Sequence, residues 1–597
     1  MLFEKSLVRL ARMFGTQVSF NNEAIYRSAS ILRRVAASRH LEKTLQDLCM
    51  RSIEEEMFEK ERKALSSKWF PLTVNLSALP KENMTGESDI AGFYRNRSIF
   101  ITGATGFMGK VLVEKLLRCC PGIKNVYILM RPKRGNDVRT RLEELINTTI
   151  FDNLRKAHPE VFTKLIPISG DMLLPGLGIS KSDVRILAEN VSVVFHSAAT
   201  VRFDEPLQQA VEMNLKGTKK LIDLCKQMSK IDALVHVSTA YCNCDKSEVH
   251  ESFYAPPCDP NKLMEMIDFL DEDVILAITK RMVGKRPNTY TYTKALAEHL
   301  LMHESGQLPV AIVRPTIVTA AEKEPLPGWI DNINGPTGLI VGCGKGLIRS
   351  VYCQRQMIAD IIPVDYPINL MLSVAWYTAT HRPNNTIIYN STSGSLNPLK
   401  WGVLESILKN EMLKYPMKGV VWPPGGSFKS SMLRHKIDVA LFHYGPAYVV
   451  DTFAKIFGGK PRFVRIHDRA TKAMACLQHF TVNQWTFHSV NTVSLLDKMS
   501  AEDKKIFYFD TRNIIWDNYL KTYYQGTKKY LLKEEVDCKE SKHHLNRLYA
   551  MQYTGQVAAA LLIWRLLATK STVAHNAWES SVSAVMRYIG QLIFKAR

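Results

Sequence analysis

The fold class this chain predicts is α/β, a doubly wound parallel sheet followed by a mainly helical C-terminal region. Two observations predict it. Ser98–Thr102, Val126–Met130, Leu165–Asp171, Val191–Ala199, Ala233–Tyr241 and Val310–Pro315 are short, near-continuous apolar runs, separated by helical stretches such as Leu207–Met228. Strands that are apolar on both faces belong to a parallel sheet covered by helices on both sides. The second observation is a glycine turn between the first run and the first helix, Gly103-Ala-Thr-Gly106-Phe-Met-Gly109. After it, Val111, Leu112, Val113, Leu116 and Leu117 recur at helical spacing until Pro121-Gly122 ends the helix.

Strand, glycine turn and helix in that order make a phosphate-binding turn. Gly103 permits the tight turn, Gly106 lets the backbone approach a pyrophosphate, and Gly109 lets the helix pack closely on the strand. The pyrophosphate would sit on the free N–H groups at the helix N-terminus. Thr102, Thr105 and Phe107 are assigned to the same cofactor-binding turn. The spacing departs from Gly-x-Gly-x-x-Gly, so taken alone the turn also fits an ordinary helix start. Arg131 stands at the end of the second run, with Lys133 and Arg134 beyond it. A cation there suits the 2′-phosphate of NADPH, where an NAD-preferring chain carries a carboxylate. At later strand ends, Asp171 is a candidate for the adenine amino group or for a plain turn. His196 is placed beside the cofactor, and Ala198 and its small neighbours leave room for the cofactor backbone.

Tyr290-Thr-Tyr-Thr-Lys294 carries the catalytic signal. Residues four apart share a helix face, so a phenol and an ammonium stand one turn apart. The ammonium is expected to lower the phenol from its usual pKa of about 10. Tyr290 would then give a proton to an oxygen that has just received hydride, and Lys294 would also hold the nicotinamide ribose. Tyr292 points elsewhere, to packing or to a substrate wall. Ser238 or Thr239, at the end of the fifth run, would donate a second hydrogen bond where negative charge develops. Thr239 is favoured as the residue nearer the strand end.

These residues resemble the extended short-chain dehydrogenase/reductases, and within them the fatty acyl-CoA reductases. The motifs that carry the resemblance are the turn at 103–109, Val237-Ser-Thr-Ala-Tyr241, Tyr290 to Glu298, Val313-Arg-Pro-Thr-Ile317, residues 335–346, and Asp360-Ile-Ile-Pro-Val-Asp365. Trp516, Tyr519, Gly526-Thr-Lys-Lys-Tyr530 and Leu561-Leu-Ile-Trp-Arg565 are similar to that family's helical tail, which sugar epimerases and steroid dehydrogenases lack. The resemblance spans about residues 80–597. It implies a four-electron, NADPH-dependent reduction of a long-chain acyl-CoA to a primary alcohol by a membrane-bound enzyme. The roles of the hydroxyl residue, Tyr290 and Lys294 carry over. A sterol or sugar dehydrogenase, or an inactive scaffold of the same fold, is the alternative.

Direct hydride delivery to a thioester needs no activated cysteine. The eleven cysteines form no Cys-x-x-Cys pair and read as reduced thiols, and no metal site is expected from Cys242-x-Cys244 or His543-His544. The glycine run at 335–346 lacks the Ser or Thr that must follow Lys in a triphosphate loop, and is read as a flexible loop near the acyl-CoA. A net charge of +21 implies acidic partners. With no nucleic-acid module present, a membrane lipid surface, NADPH and the CoA phosphates account for it.

The expected layout is an N-terminal extension over 1–84, an NADP-binding reductase domain over 85–397, and a helical domain with membrane-associating segments over 398–597. Residues 245–288 are read as an insertion shaping the substrate mouth. Val557–Trp564 and Val439–Val450 are too short to span a bilayer. They fit either buried core helices or interfacial contact. Peripheral or monotopic attachment at the endoplasmic reticulum is expected, with the catalytic domain facing the cytosol. The peroxisomal membrane is the second choice, although Lys595-Ala-Arg597 is not a Ser-Lys-Leu signal.

Overall fold

The computed structural model describes residues 88–132 and 137–568, with single positions 576, 580 and 583 beyond. The chain divides into two units, Met1–Met84 and Thr85–Arg597. The extension over 1–84 and the cations Lys133 and Arg134 lie outside the described residues.

Seven strands form one sheet: β1 (Ser98–Thr102), β2 (Asn125–Met130), β3 (Leu165–Ser169), β4 (Val191–His196), β5 (Ala233–Val237), β6 (Val310–Pro315) and β7 (Ile387–Ser391). Their order is β7-β6-β5-β4-β1-β2-β3, and every pairing is parallel. Side chains alternate along each strand, and the core is sorted accordingly. Ile99, Ile101, Val193, Phe195, Val235 and Val313 belong to one apolar layer. Phe100, Tyr127, Val194, Leu234, Ile312 and Ile388 belong to the other. The first layer packs on α1 (Phe107–Cys119). The second packs on α2 (Gly217–Cys225) and α3 (Thr289–Glu304), through Leu221, Ile222, Leu296 and Leu300. The strand order reverses between β1 and β4, the point where such sheets bind ligands at their carboxyl ends.

The glycine run at 335–346, expected as a flexible loop, is instead a helix, α4 (Pro336–Gly344), with Pro336 in its first turn. Its glycines serve close packing. A Cβ on Gly342 would lie 2.5 Å from Ile348, and one on Gly344 would lie 2.8 Å from Met417. Two helices beyond residue 397 pack into the same apolar layer as α1. Trp401, Leu404 and Leu408 come from α5 (Trp401–Lys414). Tyr519, Leu520, Tyr523 and Tyr524 come from a helix over Trp516–Gly526. The Tyr519 hydroxyl donates to the Ala320 carbonyl oxygen at 2.8 Å. Gly526 meets Gly328 so closely that a Cβ would stand 2.0 Å from the Gly328 carbonyl oxygen.

Val439–Val450 is not a core helix. It belongs to a continuous rod made of α6 (Met432–Val439), a π-bulge at Ala440–Tyr444 and α7 (Gly445–Ile456). Its inward face carries His443, which accepts from the Arg349 backbone N–H at 2.9 Å, and buried Asp451, which accepts from the N–H groups of Arg462, Phe463 and Val464. Leu433, Ile437, Leu441 (61% exposed), Phe442, Phe453, Ile456 and Phe457 (81% exposed) face outward. Val557, Leu561, Leu562 and Ile563 of the last helix, Lys539–Ala568, are exposed as well. Among the described residues, no helix is long and apolar enough to cross a membrane.

Candidate active site

A cavity of about 550 Å³ opens at the carboxyl ends of β1, β4 and β5. Gly103, Gly106, Phe107 and Gly109 line one end, Ser238, Thr239, Tyr290 and Lys294 its floor, and Phe203, Trp401, Leu477 and Phe480 an apolar wall.

The glycine turn has the shape a pyrophosphate needs. Gly103 has φ +81°, and a Cβ there would strike the Ala198 nitrogen at 2.7 Å. A Cβ on Gly109 would sit 2.2 Å from the Gly103 carbonyl oxygen. No side chain caps the N-terminus of α1, so the N–H groups of its first turn are free to meet an anion. Thr102 and Ala198 build this turn from beneath, the Ala198 N–H lying 3.4 Å from the Thr102 hydroxyl. Thr105 sits half-buried within it. Phe107 stacks on Trp329 with ring centroids 5.5 Å apart. These residues fit a dinucleotide, and its nicotinamide would supply hydride at this floor.

Tyr290 and Lys294 share one face of α3, as their spacing requires, but they do not interact in the way the sequence suggests. Lys294 Nζ donates to the Val237 carbonyl oxygen at 2.7 Å. Burial pushes Lys294 down to about 8, with Glu298 and Cys242 opposing the fall. Burial also pushes the Tyr290 phenol above its ordinary value. A hydrogen bond from Thr239 works against that rise, and Lys294 is not among its causes. The expected lowering by the ammonium is therefore corrected: Tyr290 is held neutral, in its proton-donating form. Thr239 also caps the following turn through the Tyr241 N–H at 3.3 Å. Ser238, 3% exposed, has a hydroxyl without a protein partner.

His196, expected beside the cofactor, is buried between two threonine hydroxyls. It pairs with Thr102 across β1 and β4, and its ring turns toward α2. Nδ1 lies 2.7 Å from the Thr102 hydroxyl and Nε2 3.0 Å from that of Thr218. Burial, helped by Lys294, holds the ring near pKa 3, hence neutral. Asp171 spends one carboxylate oxygen on its own turn, accepting from the Leu173 N–H at 3.1 Å. Arg131 is exposed at the end of β2. Neither of these two residues lines the cavity. Tyr292 packs, its hydroxyl 3.0 Å from the Cys258 sulfur. The segment 245–288 forms helices over Pro260–Phe269 and Glu272–Val283 and contributes no cavity wall. Residues 401 and 477–481 stand there instead.

Two supporting groups escaped the sequence reading. Asn214 lies in a π-bulge at Glu212–Lys216, a feature common at functional sites. It accepts from the Thr200 N–H at 2.9 Å and donates to the Thr293 hydroxyl at 3.0 Å, tying the loop after β4 to the catalytic helix. Glu298, one turn beyond Lys294, is paired with buried Arg314 at 2.6 Å. Removing one partner of such a pair costs about 3–5 kcal/mol. Glu248, His250 and His488 form a third group, with ligand atoms within 4.8 Å of one another. The two imidazoles stack at 4.1 Å and 4°, so their lone pairs run parallel rather than converge on one ion.

The sheet, the uncapped glycine turn and the tyrosine–lysine floor define an NAD(P)-binding oxidoreductase. Residues 101–371 match the NAD-binding family described as Male sterility protein, and 442–534 match the Sterile family of the same description. Fatty acyl-CoA reductase 2 of Mus musculus is 43% identical over 503 residues, 84% of this chain and 98% of that one. Fatty acyl-CoA reductase 1 of Xenopus laevis is 42% identical over 501 residues, 84% and 97%. The terminal R domain from the myxalamid PKS-NRPS pathway has a TM-score of 0.49 at 20% identity, covering 78% of this chain and 97% of that domain. The chain belongs to the fatty acyl-CoA reductase family.

Proposed function

We propose that the protein reduces long-chain fatty acyl-CoA to a primary fatty alcohol with NADPH, through an aldehyde-level intermediate. The observation that carries this reading is the cavity itself. It runs from a dinucleotide turn, past a neutral phenol and a buried lysine, to a wall of Phe203, Trp401, Leu477 and Phe480. The thioester carbonyl accepts a hydride and becomes an alkoxide, facing Tyr290 and Thr239 as donors. That alkoxide collapses by expelling CoA as a thiolate, which leaves without a proton from Tyr290. The aldehyde accepts the second hydride, and this time the alkoxide takes the Tyr290 proton and departs as alcohol. The thiolate takes its proton from solvent, so that two hydrides and two protons convert the acyl-CoA to alcohol plus free CoA. Lys294 holds the nicotinamide ribose, while Ser238 is the second hydroxyl on the same floor.

Arg131, exposed at the end of β2, supports NADPH over NADH. The outward apolar face of residues 433–457 supports contact with a membrane surface, at the endoplasmic reticulum or the peroxisome. Incubating the protein in lipid vesicles with a panel of acyl-CoAs and NADPH, with products identified by mass, tests the reaction. Free fatty alcohol and CoA are expected, and an absence of both overturns the reading. Replacing Arg131 by Glu should raise the Michaelis constant for NADPH far more than that for NADH.

A further inference from the structure

A second chamber, of about 410 Å³, lies behind the catalytic cavity. Its walls come from α6, from the helix Phe463–Val482, and from Val351 and Tyr352 of the short strand Ser350–Tyr352. Val351, Met432, Val439, Ala440, Met474 and Ala475 make its surface largely apolar. Lys436 and Gln478 reach it beside His435, Tyr444 and Thr481, and the last three are turned to protein partners. His435 Nδ1 lies 2.9 Å from the Ser350 hydroxyl, the Tyr444 hydroxyl donates to Asp468 at 2.9 Å, and that of Thr481 donates to the Tyr352 carbonyl oxygen at 2.9 Å.

Leu339, Leu477 and Thr481 line both this chamber and the catalytic cavity. A single layer of side chains therefore divides the two spaces. The catalytic cavity has to take the nicotinamide, its ribose and the reacting carbonyl, which leaves little of its 550 Å³ for a long chain. The chamber falls within the range of about 300–1,000 Å³ that holds small ligands. Its chemistry selects an unfunctionalised hydrocarbon, since a polar tail would find few groups to bond.

We propose that this chamber receives the distal methylenes of the acyl chain, which pass from the catalytic cavity between Leu339, Leu477 and Thr481. The proposal rests on the acyl-CoA reading and deepens it. α6 and the helix Phe463–Val482 then set the chain length the protein accepts, and the reductase fold alone does not.

Two experiments test it on the full chain in vesicles. In the first, Ala475→Phe and, separately, Ala440→Phe are assayed with palmitoyl-CoA and octanoyl-CoA. Each ring fills chamber space that only the longer chain reaches. The kcat/KM ratio of palmitoyl- to octanoyl-CoA should fall about tenfold or more, as when two methylenes lose apolar burial. The octanoyl-CoA rate, unchanged within about twofold, reports intact folding and cofactor use. In the second, palmitoyl-CoA bearing a terminal diazirine is photolysed on the unmodified protein, and adducts should map to 432–444 and 471–481. Adducts elsewhere, or an unchanged ratio in both variants while the unmodified protein reduces both substrates, overturn the chamber and leave the acyl-CoA reading standing. If the unmodified protein reduces neither substrate, the acyl-CoA reading falls and this proposal falls with it.

Discussion

At the residue scale, the Tyr290 environment separates proton donation from hydride acceptance. The phenol is held neutral by burial, so it donates where an alkoxide must leave as alcohol and matters less where a thiolate leaves unprotonated. Tyr290→Phe should therefore reduce the aldehyde-to-alcohol step by about 10²–10⁴-fold with little change in cofactor affinity. Tyr292→Phe, which gives up only the hydroxyl's approach to Cys258, should stay near the parent rate. Stopped-flow reduction of a long-chain aldehyde checks both, and the reverse ranking would move the donor to Tyr292. The folded pKa of Lys294, about 8, lies below its ordinary 10.5. Its charge is thus complete below pH 8 and lost as pH rises through that value, so kcat should fall on an alkaline limb near 8. Its effect on stability runs the other way. Between 8 and 10.5 the unfolded chain holds a proton there that the folded chain lacks, so this group favours folding as pH rises through that window. A limb near 10 would assign the titration to another group. The identity of the floor residues was legible because i,i+4 spacing is a helical property. Their electrostatics were not, because burial and the turn of Lys294 toward the Val237 carbonyl exist only in the assembled fold.

The elements that read well from sequence are those whose apolar pattern is continuous. β1, β3, β4, β5 and β6 each fall within an expected run, and β2 exceeds its run by one residue, Asn125. β7 was missed, because Ile387-Ile-Tyr-Asn-Ser391 ends in polar residues. Asn390 is there to be bonded, donating to the His488 carbonyl oxygen at 2.8 Å. Helix α4 was missed for a different reason. Its glycines suggest a loop until the bulk of Ile348 and Met417 shows what they make room for. At the start of α1 the same logic gives a test. A methyl on Gly109 would press on the Gly103 carbonyl oxygen and on the Ala104 backbone, neither of which can rotate away. Gly109→Ala should lift the helix N-terminus from its place, at a cost in stability of about 1–3 kcal/mol from overpacking. The displaced N–H groups should also weaken NADPH binding at least tenfold, which is about 1.4 kcal/mol of affinity. Gly92→Ala, with nothing within 4 Å of its Cβ, is the control. Equal affinities by fluorescence titration would remove the close-packing role of Gly109.

At the scale of the whole molecule, the excess of positive charge and the outward-facing apolar surface support the same proposed partner, a lipid surface. Residues 432–457 reverse the pattern of a water-soluble helix, with His443 and Asp451 inside and Leu441, Phe442, Phe453 and Phe457 outside. Around them Lys455, Lys460, Arg462, Arg465, Arg469 and Lys472 are exposed and outnumber the exposed acid Asp468, while Asp451 is spent on backbone N–H groups. An apolar face rimmed by cations matches the boundary between anionic headgroups and acyl chains. The sequence showed the apolar run but not its direction, because periodicity alone does not say which face of a helix meets the core. Replacing Leu441, Phe442, Phe453 and Phe457 by Asp changes side chains that support no core, so the fold and the reduction of octanoyl-CoA in solution should be retained. Each apolar group withdrawn from the interface forfeits on the order of 1 kcal/mol or more, and each new charge opposes the anionic surface. Partitioning onto phosphatidylserine vesicles in a flotation assay should therefore fall at least about a hundredfold. A truncation at residue 550, which removes Val557–Trp564 but keeps this face, should retain a measurable part of the binding, weakened by high salt but not abolished. If the fourfold variant floats with the vesicles like the parent and the truncated chain does not, the contact belongs to the last helix, Lys539–Ala568, and the face at 433–457 needs another partner.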